Sequence, residues 1–245
     1  MKTQKIDAYY EKITAMLAQN LESQRQTMGN IASLWAESIL NDHLTYVFGS
    51  GHSRFIAGEL YWRAGGLASV FQIDDLTLGA AERVEGYAAS FMATHNIQPG
   101  DLLFVISNSG INALPIEVAQ IGKEMGAKVI AVTSLDYSRS AQPRHSSGKK
   151  LFEVADIVLD TQNVRGDALV EIDGLQGWKA APASTIISIA LLEGIVAQTA
   201  QNVADAGHLP PILLSANVAE GDQHNKELSE KYWQRLTRFP RKDVF

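Results

Sequence analysis

Five short apolar runs, separated by longer stretches of helical periodicity, constrain the fold of this chain more than any other feature of its sequence. The apolar runs are residues 44–48, 68–73, 102–106, 129–133 and 157–159. Between them, at 55–64, 76–95, 113–125 and 148–154, apolar residues recur at the spacing of a helix. Strands that are apolar on both faces and alternate with helices predict a parallel sheet covered on both sides. We therefore expect an α/β fold in three layers, with a five-stranded sheet between two layers of helices.

Helical segments flank this alternating region. Residues 5–41 predict two N-terminal helices, broken near Gly29 and Asn30. After the last strand we expect a long loop around residues 166–168 and a long helix from about 183 to 202 that is either deeply buried or at a subunit interface. A final helix from about 222 to 238 follows. No linker is long enough to divide the chain, so we expect one domain over residues 1–245. Its parts are a helical extension over 1–42, an α/β core over 43–206, and a loop and helix over 207–245.

Composition excludes several classes of function. The net charge of −6 and the pI near 5.5 argue against a general nucleic-acid-binding protein, since such a protein needs a basic face. The absence of cysteine excludes disulfides, thiolate zinc sites and cysteine nucleophiles, and it permits a reducing cytoplasm. The N-terminus has no signal-peptide pattern, and no window approaches the roughly 18 apolar residues of a membrane span. We expect a cytoplasmic protein that binds neither nucleic acid nor membrane.

Two turns rich in serine and glycine follow the first and third apolar runs. The first serine turn comprises Gly49, Ser50, Gly51, His52 and Ser53, and the second comprises Ser107, Asn108, Ser109 and Gly110. A backbone that turns sharply from a strand into a helix leaves N–H groups exposed at the helix N-terminus, and these groups favour an anion, phosphate above all. If the strand order is 2-1-3-4-5, the two turns lie side by side where that order reverses. The pair then predicts a phosphate site that needs no lysine.

The two turns have two other interpretations. The serines could act as helix N-caps, with glycines that only turn the chain. A dinucleotide-binding fingerprint is half met by Gly49 and Gly51, with Asp74 and Asp75 near the position of a ribose-binding acid. However, Arg54 stands where the third glycine of that fingerprint should allow close packing of helix and strand. The dinucleotide interpretation also leaves the second serine turn unexplained.

Several motifs together resemble one known family. They are Gly-Ser-Gly-x-Ser after the first strand, Ser-Asn-Ser-Gly-x-Asn ending at Asn112, Gly-Ala-Lys-Val-Ile-Ala-Val-Thr in the fourth strand, and Pro-Ala-Ser-Thr at residues 182–185. With these motifs the chain resembles the SIS (sugar isomerase) domain, and it is most similar to SIS proteins labelled as phosphoheptose isomerases. The resemblance implies a flavodoxin-like sandwich that forms a homodimer or homotetramer. It also implies that a sugar phosphate is bound by both serine turns and Asn112, with its phosphate held by Ser50, Ser53, Ser107, Ser109 and Ser184 or Thr185.

The resemblance also bears on metals. Zinc-dependent phosphoheptose isomerases carry a Gln-Glu-x-His pattern on the helix after the Ser-Thr pair, whereas this chain has Ser188, Ile189 and Leu191 in those places. They also place a histidine and a glutamate together on the first helix of the site, where this chain has Glu59 but no matching histidine. We therefore expect neither a metal nor a cofactor.

Candidate acids and bases follow from the chemistry of aldose–ketose isomerisation, which needs a carboxylate to move a proton between C1 and C2 and often a histidine to open the ring. Glu82 and Glu85 follow the second strand, where related isomerases carry their base, and Glu59 lies just after the first serine turn. The resemblance adds His224, in a C-terminal segment from which some SIS isomerases present a histidine across the dimer. These residues predict a sugar-phosphate isomerase. A non-catalytic phosphosugar sensor, and a lyase or deglycase of an amino-sugar phosphate, stay open as alternatives.

Overall fold

The computed structural model describes residues 3–236 of the chain. The helices in that range are α1 (Gln4–Leu40), α2 (Arg54–Leu60), α3 (Tyr87–Met92), α4 (Ala113–Glu124), α5 (Leu135–Ser140), α6 (Leu151–Val154), α7 (Ser184–Asp205) and α8 (Gly221–Leu236). The strands are β1 (Thr45–Gly49), β2 (Val70–Ile73), β3 (Leu102–Ile106), β4 (Lys128–Thr133), β5 (Ile157–Asp160), β6 (Ala168–Glu171) and β7 (Lys179–Pro182). A single 3-10 turn, Gly51–Ser53, joins β1 to α2.

Five parallel strands form the central sheet in the order β2-β1-β3-β4-β5. The predicted three-layer α/β fold and the strand order that makes the two serine turns neighbours are both confirmed. Every residue of β1 and of β3 is buried, because helices cover both faces of the sheet. On one face, α1, α2 and α7 build a core in which the rings of Trp35 and Phe104 lie 5.0 Å apart. On the other face, side chains of α3, α4 and α6 pack against the sheet.

Helix α1 is continuous over 37 residues, so the prediction of two helices broken near Gly29 and Asn30 was wrong. The side chains of Ile31 and Trp35, two and six residues after Gly29, are fully buried in the core that α1 shares with α7. A glycine inside a helix costs only about 1 kcal/mol, whereas burying one large apolar side chain stabilises the fold by about 1.5–3 kcal/mol. The energy gained by packing therefore outweighs the cost of Gly29, and the helix continues through it.

Residues 76–95, predicted as one helix, are a series of turns followed by the short helix α3. Acidic side chains hold these turns by accepting from backbone N–H groups. Asp75 accepts from Thr77 N (3.0 Å) and Gly79 N (2.8 Å), and Glu117 of α4 accepts from Gly86 N (2.5 Å). Side-chain acceptors of this kind compete with the backbone bonds of a helix. Tertiary contacts have thus replaced the predicted helix by a fixed loop.

Beyond β5, part of the expected long loop is a two-stranded antiparallel hairpin of β6 and β7. The hairpin lies against the N-terminal part of α1, where Tyr9 Oη donates to Pro182 O (3.0 Å) and Lys12 Nζ donates to Leu169 O (2.8 Å). The short helix α5, after β4, was not predicted either. Helix α8 begins within one residue of its predicted start, and the predicted end at residue 238 lies outside the described residues.

Helix α7 starts and ends close to its predicted bounds and runs through the core. By length and composition it is apolar enough to cross a membrane, so the expectation that no window approaches a membrane span was too strict. Within this fold its apolar side chains have another partner, since Ile187, Leu192 and Ile195 are fully buried in the core with α1. The N-terminus of α7 lies at the edge of the sheet where the two serine turns meet.

Candidate functional site

The two serine turns lie side by side at the carboxyl edge of the sheet. Strands β1 and β3 are neighbours, and Gly49 at the end of β1 pairs in register with Ile106 at the end of β3. The turns and the start of α7 together enclose a cleft of about 400 Å³. Its lining is polar apart from Ile56, Tyr137 and Pro182. The other lining residues are Ser50, His52, Ser53, Glu82, Ser107, Asn108, Ser109, Asn112, Asp167, Ser184 and Thr185.

Two glycines are required by the tight backbone of the turns. A Cβ atom on Gly49 would collide with the carbonyl oxygen of Ser53, so no larger residue fits where β1 enters the first serine turn. Gly110 has a φ of +61°, and a Cβ there would lie only 2.9 Å from Thr133 Oγ1. Both glycines therefore shape the cleft by permitting close approach, although neither lines it.

The second serine turn is fixed to the neighbouring strand but keeps free donors. Asn108 O accepts from Ser134 N (3.0 Å), and Ser107 Oγ accepts from Gly110 N (3.2 Å). Within residues 3–236, the backbone N–H groups of Asn108 and Ser109 make no hydrogen bond. Helix α4 begins directly after this turn at Ala113, so the positive end of its dipole also faces this part of the cleft.

Asp75, which follows β2, holds the first serine turn in place through a hydrogen bond from Ser50. Its Oδ2 accepts from Ser50 Oγ (2.7 Å) and Gly79 N (2.8 Å), and its Oδ1 accepts from Thr77 N (3.0 Å) and Thr77 Oγ1 (2.6 Å). Burial alone would raise the pKa of Asp75, but the hydrogen bonds from Thr77, Ser50 and Gly79 outweigh it and hold the pKa below its ordinary value. Asp75 is thus a buried carboxylate that fixes the Ser50 hydroxyl.

Asp167 plays the same part at the start of α7. Its Oδ1 accepts from the backbone N–H groups of Ala183 (3.0 Å) and Ser184 (2.7 Å), and its Oδ2 accepts from Ser184 Oγ (2.7 Å). It caps the helix from a position 17 residues earlier in the chain. The sequence indicated Asp75 only under the dinucleotide interpretation and did not indicate Asp167, because each aspartate acts on a cleft serine through the tertiary fold.

The structure separates the three candidate glutamates. Glu82 lines the cleft, and a Cβ on Gly51 would lie 4.0 Å from Glu82 Oε2. Within residues 3–236 its carboxylate makes no hydrogen bond or ion pair. Glu85 does not line the cleft: its two oxygens accept from Ser146 N and Ser146 Oγ, both at 2.6 Å, and these bonds hold its pKa below the ordinary value. Glu59 forms an ion pair with Arg63 in a neighbouring depression outside the cleft.

The candidate histidines are likewise separated. His52 lines the cleft, with its ring edge-on to that of Phe55 and 5.0 Å from it. His224 lies on α8, where its Nε2 donates to Ile212 O (2.8 Å), and it does not reach the cleft within one chain. His145 contacts the carboxylate of Glu117, with Nε2 3.6 Å from Oε1, and helps to join the segment after α5 to α4.

The charge of the cleft is unusual for a phosphate site. Among the described residues that line it there is no Lys or Arg, whereas Glu82 and Asp167 contribute two carboxylates. Arg144, which does not line the cleft, donates from its guanidinium to Oδ1 of the lining residue Asn112 (2.9 Å). An anion bound here would therefore depend on hydroxyls, backbone N–H groups and helix N-termini rather than on cationic side chains.

The fold and the cleft define a class of protein, namely a doubly wound α/β protein whose ligand cleft lies where the strand order reverses. A family model described as the SIS domain matches residues 8–134. A UPF0309 protein of Listeria monocytogenes serotype 4b is 40% identical over 237 residues, a match that covers 93% of this chain and 96% of that protein. A UPF0309 protein of Halalkalibacterium halodurans is 38% identical over 240 residues and is covered to 96%. The chain belongs to the SIS domain family and to the UPF0309 family.

Solved structures of similar fold include two phosphoheptose isomerases. The isomerase of Neisseria gonorrhoeae superposes with a TM-score of 0.57 at 18% identity, covering 80% of this chain and 97% of that one. The isomerase of Francisella tularensis superposes with a TM-score of 0.56 at 19% identity, covering 82% of this chain and 100% of that one. At such low identity the likeness establishes the shared fold.

Proposed function

We propose that this protein binds a sugar phosphate in the cleft and interconverts its aldose and ketose forms. The observation that carries the proposal is the free carboxylate of Glu82, in the same cleft as both serine turns. Membership of the SIS domain family supports the proposal, as do the two structural neighbours named as phosphoheptose isomerases.

The phosphate is proposed to bind at the second serine turn. There the N–H groups of Asn108 and Ser109 have no protein acceptor within residues 3–236, and the α4 N-terminus follows directly. The hydroxyls of Ser107 and Ser109 supply further donors from the cleft lining. A phosphate at this position leaves the rest of the cleft, toward Glu82, for the sugar.

Glu82 is the proposed base. It removes the C2 proton of the open-chain aldose, and the electron pair forms the C1–C2 double bond of an enediolate while a proton reaches O1. Return of the proton from the Glu82 carboxyl to C1, with loss of the O2 proton, gives the ketose and restores the carboxylate. His52 is proposed to move the proton that opens the sugar ring, since it lies exposed at the edge of the same cleft. Glu85, Glu59 and His224 have no part in this mechanism because the fold engages them elsewhere.

Exchange of the C2 proton with solvent tests the proposal directly. Sugar phosphates of five to seven carbons are incubated with the protein in D2O and followed by NMR. We expect exchange with at least one of them, and Glu82→Gln should slow it by about 10²–10⁴-fold, with the dissociation constant unchanged within about threefold. Glu85→Gln is the matched control and should retain the wild-type rate.

The outcomes separate the alternatives. If Glu82→Gln exchanges as fast as the wild type, the assignment of the base is wrong. If the wild type binds sugar phosphates and exchanges none, the protein is a phosphosugar sensor and the isomerase proposal fails. A lyase or deglycase would show itself in the same spectra, because an amino-sugar phosphate would release a new product.

We also propose that the protein is a cytoplasmic homodimer or homotetramer. Large apolar side chains stay exposed on α1 and on the β6–β7 hairpin, with Tyr10 66% and Trp178 70% accessible. Pairing about a symmetry axis would bury such side chains. Light scattering coupled to size-exclusion chromatography measures the assembly, and a monomer at micromolar concentration would refute this part.

A further inference from the structure

The hydroxyl groups of the cleft fall into two chemical kinds. A hydroxyl has one proton to donate and two lone pairs that accept. Where the proton is already given to a carboxylate, the oxygen can only accept from a ligand. Where the proton is free, the hydroxyl can donate. The oxygens of a sugar phosphate, which is mainly a dianion without a P–OH group at neutral pH, accept and do not donate, so only the second kind stabilises its phosphate.

Ser50 belongs to the first kind. Its Oγ lies 2.7 Å from Asp75 Oδ2, and the lowered pKa of Asp75 keeps that carboxylate ionised, so the proton of this bond comes from Ser50. Asp75 is buried and also accepts from Gly79 N and from both donors of Thr77, which fixes the carboxylate in place. Toward the cleft, Ser50 Oγ offers lone pairs alone.

Ser184, at the start of α7, belongs to the same kind. Its Oγ donates to Asp167 Oδ2 at 2.7 Å, while Asp167 Oδ1 is held by two backbone N–H groups at the start of α7. The loop after β2 and the loop before β6 thus share one arrangement. In each, an aspartate accepts the proton of a serine hydroxyl, so that hydroxyl cannot donate to a ligand.

The other cleft hydroxyls keep their protons. Ser107 Oγ accepts from Gly110 N and has its own proton left to donate. Within residues 3–236, the side-chain hydroxyls of Ser53, Ser109 and Thr185 make no hydrogen bond. Two of these four donors, Ser107 and Ser109, lie on the second serine turn, where the backbone N–H groups of Asn108 and Ser109 are also free within residues 3–236. The other two lie near the acceptor-only serines, Ser53 on the first serine turn with Ser50 and Thr185 directly after Ser184.

We propose that Ser50 and Ser184 bind hydroxyl groups of the sugar and do not bind the phosphate, a role that differs from the one the family resemblance implied for them. The inference rests on the proposed function and adds a rule of specificity. The ligand must present two hydroxyl donors to the aspartate-held serines, and a deoxy sugar phosphate that lacks one of them leaves a serine oxygen unpaired. Sites built to pair a ligand hydroxyl discriminate strongly against analogues without it.

Titration calorimetry with two kinds of probe tests the rule. Inorganic phosphate reports only on the phosphate subsite, whereas ribose 5-phosphate and glucose 6-phosphate, or whichever panel member exchanges, report on both parts of the cleft. The variants are Ser50→Ala and Ser184→Ala, with Ser109→Ala as the matched control because it removes a hydroxyl of the other kind. Retained phosphate affinity in the first two variants also shows that they are folded.

We expect Ser50→Ala and Ser184→Ala to bind inorganic phosphate within about twofold of the wild type and to bind the sugar phosphate about tenfold or more weakly. Ser109→Ala should weaken both probes by a similar factor. A fivefold or larger loss of inorganic-phosphate affinity in Ser50→Ala or Ser184→Ala overturns the inference, and so does unchanged sugar-phosphate affinity in both.

Failure of the proposed function gives a different pattern. If the wild type binds inorganic phosphate but no sugar phosphate, the proposed function fails, and the three variants still decide by their phosphate affinities which hydroxyls contact the anion. If the wild type binds neither probe at millimolar concentration, the cleft is not a phosphate site, and both the proposed function and this inference are refuted.

Discussion

Replacing Asp75 with asparagine should destabilise the fold by about 2–3 kcal/mol. Each oxygen of Asp75 accepts from two donors, of which one is a backbone N–H, from Thr77 or Gly79, and the other is a hydroxyl, from Thr77 or Ser50. Asparagine retains one oxygen, so in either orientation of the amide one backbone N–H loses its acceptor, which costs about 1–3 kcal/mol. The displaced hydroxyl can rotate and accept from the amide, but the two surviving bonds lose the strength that the negative charge gives them.

Urea unfolding at pH 7, followed by tryptophan fluorescence, measures this change in the free energy of unfolding. Asp74→Asn is the matched control, because Asp74 is the adjacent residue, is exposed and caps no backbone group. That variant should stay within about 0.5 kcal/mol of the wild type. If Asp75→Asn is as stable as Asp74→Asn, the hydrogen bonds to Asp75 do not hold the loop, and the argument for the proton of Ser50 loses its foundation.

The dependence of this difference on pH supplies a second check. The pKa of Asp75 is lowered in the folded state, so the carboxylate contributes its full stability above the ordinary aspartate pKa of about 3.9. That contribution is lost as the pH falls through the lowered pKa. The stability difference between wild type and Asp75→Asn should therefore shrink between pH 4 and pH 2.5, and a difference that stays constant to pH 2.5 would contradict the assignment.

Three further perturbations test other parts of the structure. Gly110→Ala should destabilise the fold by about 1–3 kcal/mol and weaken phosphate binding, because the left-handed backbone and a threonine hydroxyl 2.9 Å from the new Cβ both oppose a side chain there; urea unfolding and phosphate titration measure the two effects. Arg235→Met should cost about 2–3 kcal/mol in urea unfolding, since it removes the guanidinium 3.0 Å from the fully buried Asp101, which then keeps the backbone N–H groups of Leu44 and Gln98 as donors. Ser146→Ala should raise the pKa of Glu85 part of the way toward its ordinary value, since it removes the hydroxyl bond, the largest of the effects that lower that pKa, and leaves the bond from Ser146 N; a ¹³C NMR titration of the carboxyl group measures that shift.

The sheet could be predicted from the sequence because each central strand is a continuous apolar run, and burial on both faces leaves no other structure for such a run. The failure at residues 76–95 has the opposite cause. The apolar residues that suggested a helix there include Leu76, Leu78 and Val84, which are 81%, 62% and 53% exposed. These residues are spaced like the apolar face of a helix, but they do not pack in the core. The turns that form instead depend on backbone N–H groups that donate to Asp75 and Glu117, and no local sequence pattern indicates those bonds.

The site was partly predictable for a related reason. Serine and glycine at the ends of β1 and β3 are local signals, and the strand order then brings the two turns together. The difference between Glu82 and Glu85 is not local, because it depends on Ser146, which lies 61 residues after Glu85. Asp167 likewise acts on α7 through the fold. Sequence reasoning could name the chemical groups of the cleft but not the hydrogen bonds that decide which of them are free.

The backbone around Glu82 shows why the proposed base and the phosphate subsite form one unit. Glu82 O accepts from Leu114 N (3.1 Å), and Glu117 accepts from Gly86 N (2.5 Å) and Ala88 N (3.3 Å). Both Leu114 and Glu117 belong to α4, the helix that begins directly after the second serine turn. The loop that carries the proposed base is therefore anchored on the helix that follows the second serine turn. Under the proposed mechanism, α4 would set the distance between Glu82 and a phosphate bound at that turn, and this would hold the reacting carbons in place for the transfer of a proton between C1 and C2.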